Sequence, residues 1–239
     1  VPPTSPHGLI VVTGVDRLPN GHPTGFWLPE AAYPWRALRA LGWDFAFAST
    51  RPGSPPISGI DRSDPPQRAF LDDPAVRAAL AATVPVSELD PGDFGAVFIA
   101  GGHGAMFDLP QDEGLADFLS AFHAAGGVIT AFCHGVAALL GVRAPGGAHL
   151  VADRDVTGFS NAEEYAVGLA DVVPFLLADE LERRGARYTA AEPFRPHVVA
   201  DGTLVTGQNP ASAQQAASTG LRTAAGEPLP AGWLRRLPA

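Results

Sequence analysis

The chain has 239 residues, 46% of them hydrophobic and 17% charged, and its 25 acidic side chains outnumber 16 basic ones for a net charge of -9. Every basic residue is an arginine, which excludes lysine Schiff-base chemistry, a pyridoxal phosphate linkage and a Walker A phosphate loop. The acidic balance argues against a nucleic-acid partner, and the one cysteine, Cys133, excludes an internal disulfide and any CxxC zinc or redox site.

No run approaches the ~20 apolar residues of a membrane helix. The stretch from Val1 to Gly8 is proline-rich, without the basic and apolar regions of a signal peptide. The expectation is a cytoplasmic protein with no membrane partner. Short apolar runs alternate with segments of helical periodicity, the pattern of βαβ units around a mainly parallel sheet. Leu9–Val12 reads as the first strand and Glu30–Leu41 as a helix with Ala31, Trp35, Leu38 and Leu41 near one face. Asp44–Ser49 is a second strand, Pro52–Pro66 a proline-rich loop and Pro74–Ala82 a helix. The strand Ala96–Ala100 runs into Gly101-Gly102-His103-Gly104, a helix follows near Glu113–Ala125, and the strand Gly127–Phe132 delivers Cys133. Val136–Leu140 opens a further helix, Asp155–Thr157 is a short strand and Pro174–Arg184 a helix. Val198–Thr206 forms a hairpin turning at Asp201-Gly202. From Thr219 the chain reads as a surface tail. With no internal repeat and no linker, residues 1–239 are expected to form one domain.

The strongest chemical signal is Phe132-Cys133-His134-Gly135 at a strand-to-helix junction. A sharp turn there presents the sulfur outward, and unpaired amides at a helix start favour the thiolate. A lone cysteine more often just packs, but the adjoining His134 and Gly135 reverse that balance and mark Cys133 as the nucleophile. The glycine-rich turn is a weaker signal. Because parallel strands end on one edge of the sheet, Gly101, Gly102 and His103 are candidates for an oxyanion or substrate site beside the His134 amide. Glu30, Glu163 and Glu164 are candidate acids, and spacing does not choose among them. The seven histidines, at 7, 22, 103, 123, 134, 149 and 197, form no metal-binding spacing, so no metal is expected. Phe26, Trp27, Tyr33 and Trp35 could line a pocket near Glu30, although core packing is the commoner use.

The runs Ala100–Leu109 and Ala131–Gly135 resemble the ThiJ/PfpI superfamily, whose members are glutamine amidotransferase-like. Thr24–Glu30, Val156–Glu164 and Val205–Ser212 are similar to its heat-shock chaperone and glyoxalase III-like branch, so the resemblance covers Leu9 to about Ala217. It implies a flavodoxin-like α/β three-layer sandwich with Cys133 on a nucleophile elbow and Glu30 beside the sulfur. His134 would be the histidine partner, supported by an acid or amide among Asn161, Glu163 and Glu164. It also implies a homodimer. One departure stands near the expected pocket mouth: His22-Pro23 precedes Thr24, where relatives often carry a lysine.

The implied activity is that of a cofactor-independent glyoxalase III-like enzyme, converting 2-oxoaldehydes such as methylglyoxal to 2-hydroxy acids through a Cys133 hemithioacetal. Glu30 would carry the proton between the two carbons. Two alternatives use the same residues: cysteine-dependent hydrolysis, hydration or rearrangement of a larger metabolite, and a stress chaperone or redox sensor. Peptidase chemistry ranks lower, because adjacent Cys133 and His134 side chains are expected to leave the turn in different directions.

Overall fold

The computed structural model describes residues 6–226. Six strands, β1 (His7–Val12), β2 (Asp44–Ser49), β3 (Ala96–Ile99), β4 (Val128–Phe132), β5 (Val198–Asp201) and β6 (Leu204–Gly207), form one sheet in the order β2-β1-β3-β4-β6-β5. All neighbours are parallel except the β5–β6 hairpin. The fold is therefore α/β with a mostly parallel central sheet, as the alternating apolar runs predict. Strands β3 and β4 are buried at every position, which is why they read as unbroken apolar runs instead of alternating ones.

Helix α1 (Pro29–Ala40) buries Ala31, Trp35 and Leu38. Helix α2 (Glu113–Ala124) starts where the Asp112 side chain accepts from the Leu115 amide at 2.9 Å, and it buries Leu115, Phe118, Leu119 and Phe122. Helices α3 (Asn161–Ala166) and α4 (Ala213–Ala225) complete the set that bears on the site. Helix α4 packs on α1 and β4.

The expected surface tail is corrected over its first part. Residues 219–225 continue helix α4, because Ala216, Ala217, Gly220, Leu221 and Ala224 form a buried stripe of mostly small, apolar residues at helical spacing. A side chain at Gly220 would collide with Thr130 of β4, so the glycine sets how closely the helix lies. The rest of that tail, residues 227–239, lies outside the described residues. The loop expected over Pro52–Pro66 contains a two-residue strand, Ile57–Ser58, paired with Phe26–Trp27, and Pro65 starts an unforeseen helix, Pro65–Asp72. The helix expected from Val136 is a 3-10 run that begins earlier, Cys133–Leu140. The helix expected over Pro174–Arg184 is confined to Leu177–Arg183.

Candidate active site

Strands β3 and β4 are adjacent and parallel, so the turns that follow them emerge side by side. Directly after β4 the backbone reverses at Cys133, whose φ is 52°. An L-residue pays about 1–2 kcal/mol for this left-handed conformation, and the turn holds the sulfur where the two loops meet. Gly135 permits that meeting: a Cβ there would stand 2.5 Å from the Ile99 carbonyl oxygen of β3. Gly102, with φ 102°, solves the matching problem on the other loop, since a side chain would strike the Gly25 carbonyl.

The Cys133 Sγ lies 3.3 Å from Nδ1 of His134. On the far side of the ring, His134 Nε2 lies 2.7 Å from Glu164 Oε2. The expectation that adjacent side chains diverge is corrected here. The left-handed turn at Cys133 swings the sulfur back toward the imidazole that follows it. Burial opposes ionisation of Glu164, but hydrogen bonds from His103 and His134 outweigh it and hold the carboxyl at about 2. An ionised Glu164 accepts only, so His134 Nε2 carries the proton and Nδ1 is bare toward the sulfur. Burial, and then the neighbouring His103, push His134 down to about 4, so the ring is neutral at physiological pH.

Glu30, fully buried at the start of α1, receives the Gly101 amide on Oε2 at 2.7 Å. Its Oε1 has no hydrogen-bond partner among the described residues. Burial raises the carboxyl to about 8, against the opposing effects of the Gly101 amide and the Cys133 thiol. It is therefore mostly protonated at neutral pH. Burial also pushes the Cys133 thiol up, reinforced by the Glu30 charge, and the His134 amide only partly offsets this. The turn's amides favour the thiolate, as expected, but desolvation of the buried sulfur outweighs these backbone dipoles and pushes the thiol up.

The structure brings Cys133, His134, Glu30 and Glu164 together, with Gly102 and His103 beside them. Gly101 is not an oxyanion donor, since its amide is spent on Glu30. His103 Nε2 stands 3.0 Å from the second Glu164 oxygen, and its ring centroid is 4.2 Å from that of His134. His103, His134 and Glu164 also form a group whose ligand atoms lie within 4.8 Å of one another. These atoms could receive a cation only by giving up the hydrogen bonds that now join them.

Two candidates drop out. Asn161 points its amide to Asp179 at 2.7 Å, away from the sulfur. Glu163 is a buried structural knot: its carboxylate accepts the Ser160 amide and hydroxyl, the Gln208 and Asn209 side-chain amides and the Phe194 amide, at 2.7–3.0 Å. Its capping box with Ser160 fixes the first turn of α3, and so aims Glu164.

Above the sulfur is a cavity of about 150 Å³ with Gly102, His103, Cys133 and His134 at its base and Trp27, Phe159, Val167, Phe194 and Pro210 around it. Of the aromatic cluster near Glu30 only Trp27 borders this space; Phe26 and Trp35 belong to the core. Val167 and Phe194 were not legible as site residues.

Residues 24–222 match the family model described as the DJ-1/PfpI family. The chain is 30% identical over 212 residues to glyoxalase 3 of Candida albicans, spanning 83% of this chain and 89% of that protein. A glutathione-independent glyoxalase of Saccharomyces cerevisiae, HSP31, is likewise 30% identical over 213 residues, spanning 83% and 88%. Among solved structures, the 24 kDa rapid encystment protein of Francisella tularensis is similar with a TM-score of 0.87 at 34% identity, over 91% of this chain and 98% of that one. The glyoxalase III of Candida albicans is similar with a TM-score of 0.83 at 27% identity, over 91% and 96%.

Proposed function

The chain belongs to the DJ-1/PfpI family, and on that footing we propose that it is a glutathione-independent glyoxalase converting small 2-oxoaldehydes to 2-hydroxy acids. The relatives' names support the reaction. The observation that carries it is the pair of proton carriers on the one sulfur: a neutral imidazole with a bare Nδ1 at 3.3 Å, and a buried carboxyl with its pKa near 8. An internal transfer of hydrogen between two carbons needs one group to take a proton and another to give one, both near their working protonation states.

In this reading the Cys133 sulfur adds to the aldehyde carbon, and its proton passes through His134 Nδ1 to the aldehyde oxygen, giving a neutral hemithioacetal. His134 then takes the proton from that carbon while Glu30 gives its own to the ketone oxygen, leaving an enediol. The ionised Glu164 steadies the imidazolium so formed. Return of the His134 proton to the former ketone carbon, with loss of the other hydroxyl proton to Glu30, gives a thioester. Water cleaves it to the 2-hydroxy acid and the free thiol. Protonated Glu30 is thus the donor to oxygen, and the carbon proton moves to His134, reversing the role expected for Glu30 alone.

The same line of Sγ, His134 and Glu164 suits cysteine-dependent hydrolysis of another acyl or carbonyl compound, which is the second reading. We further propose that the protein works as a single-domain cytoplasmic homodimer; light scattering of the purified chain checks the dimer. Among the described residues no helix is long and apolar enough to cross a membrane. The deciding experiment supplies methylglyoxal or glyoxal without glutathione or metal. Lactate from methylglyoxal with the wild type and none with Cys133→Ala is the expected outcome; equal turnover by the two, or no turnover of any 2-oxoaldehyde by the wild type, rejects the proposal.

A further inference from the structure

The chemistry of the site is small, yet the space above it is built for something larger and apolar. Among the described residues, four large hydrophobic side chains are notably exposed, and two of them, Val167 and Phe194, border the cavity over Cys133. Isolated exposed apolar residues need no explanation, but two converging on one opening do.

Phe194 is held there at a cost. The Arg195 amide donates to the Glu192 carbonyl at 3.1 Å, closing a tight turn with Pro193 second and Phe194 third. Phe194 has φ 61°, a conformation normally given to Gly or Asn at that place in a turn. Its amide is tied to the buried Glu163 carboxylate at 2.8 Å, so the ring's position is fixed by the same knot that aims Glu164. A bulky residue kept in a strained backbone at a cavity mouth is a pointer to function.

The size agrees. A cavity of about 150 Å³ lined by apolar groups accommodates a benzene-sized molecule, and the space here has that volume. The dicarbonyl head of a 2-oxoaldehyde at Cys133, Gly102 and His103 takes about four of the roughly six non-hydrogen atoms such a space holds, so a branched or aromatic substituent extends into the mouth that Val167 and Phe194 border. We propose that this protein selects 2-oxoaldehydes bearing an apolar substituent, branched or aromatic, over methylglyoxal, with Phe194 and Val167 as specificity-determining residues. The inference rests on the glyoxalase reading and narrows it.

The test compares kcat/KM for methylglyoxal, 4-methyl-2-oxopentanal and phenylglyoxal in the wild type, Phe194→Gly and Val167→Thr. The aliphatic pair matters most, since their carbonyls are of similar reactivity. The wild type is expected to favour the branched compound by about ten-fold or more, the range that added methylenes give in an apolar pocket. Phe194→Gly suits the positive φ, and it should reduce that preference about five-fold, chiefly through KM for the branched substrate. Val167→Thr keeps the shape and should lower the ratio in the same direction. Turnover of methylglyoxal with no preference for the branched compound overturns the inference and leaves the glyoxalase reading standing. A preference that both variants retain unchanged also overturns it. No turnover of any 2-oxoaldehyde removes both.

Discussion

Replacing Glu30 with glutamine should make the protein inactive and, above neutral pH, more stable. The carboxyl sits at about 8 in the folded chain against an ordinary value of 4.5, because burial penalises its charged form. Between those values the folded state holds a proton that the unfolded state has released, so stability falls as pH rises. With 1.36 kcal/mol per pKa unit, the loss attributable to this one group grows by about 3 kcal/mol between pH 5 and pH 8. Glutamine keeps an acceptor for the Gly101 amide, now bonded at 2.7 Å, and never ionises. The variant-minus-wild-type unfolding free energy, from urea titrations at pH 5, 6, 7 and 8, should therefore climb steadily with pH, and the other ionisable groups cancel in the difference. A flat difference across that range would refute the claim that Glu30 is a buried, protonated acid.

In the proposed reaction His134 must be neutral and Glu30 protonated, so kcat/KM should show a plateau bounded by limbs near 4 and 8. A rate that instead rises steeply from pH 6 to 9 would signal titration of a thiol and contradict the neutral resting site. Glu164→Gln removes the charge 2.7 Å from His134 Nε2 and should cost kcat at least about ten-fold, and up to about 10⁴-fold if the amide's NH₂ imposes the wrong imidazole tautomer; retention of more than half the activity refutes its supporting role. Gly102→Ala must fit a Cβ against the Gly25 carbonyl at a φ of 102°, and urea unfolding should register a loss of about 2 kcal/mol or more.

The sheet and the elbow were legible because their signals are local. Ala96–Ala100 and Gly127–Phe132 are apolar runs that end in glycine-rich or Cys-His-Gly turns, and parallel pairing necessarily sets those turns side by side. The choice among acids was not local. Glu30 stands 103 positions before Cys133, and only the packing of α1 against the sheet brings them together. Glu163 and Glu164 show the limit more sharply. Consecutive residues on a helix point about 100° apart, so one carboxylate faces Gln208 and Asn209 while the next faces His134. Telling them apart requires the rotation of α3, and the signal that carries it is the Ser160 to Glu163 capping box. Phe194 left no trace, because nothing in Glu192-Pro193-Phe194-Arg195 announces that a turn will place a phenyl ring over a cysteine 61 positions away.

A neutral resting site also separates the functional readings. Oxidation to a sulfenic or sulfinic acid follows thiolate character and exposure, and Cys133 is only 4% exposed with its pKa pushed upward. A sensor cysteine needs the opposite on both counts. An enzyme does not, because substrate in the cavity lets Sγ pass its proton to His134 and bond carbon in one concerted event, without a free thiolate being present beforehand. The backbone strain at Cys133 and the five donors on Glu163 keep that geometry fixed before substrate arrives.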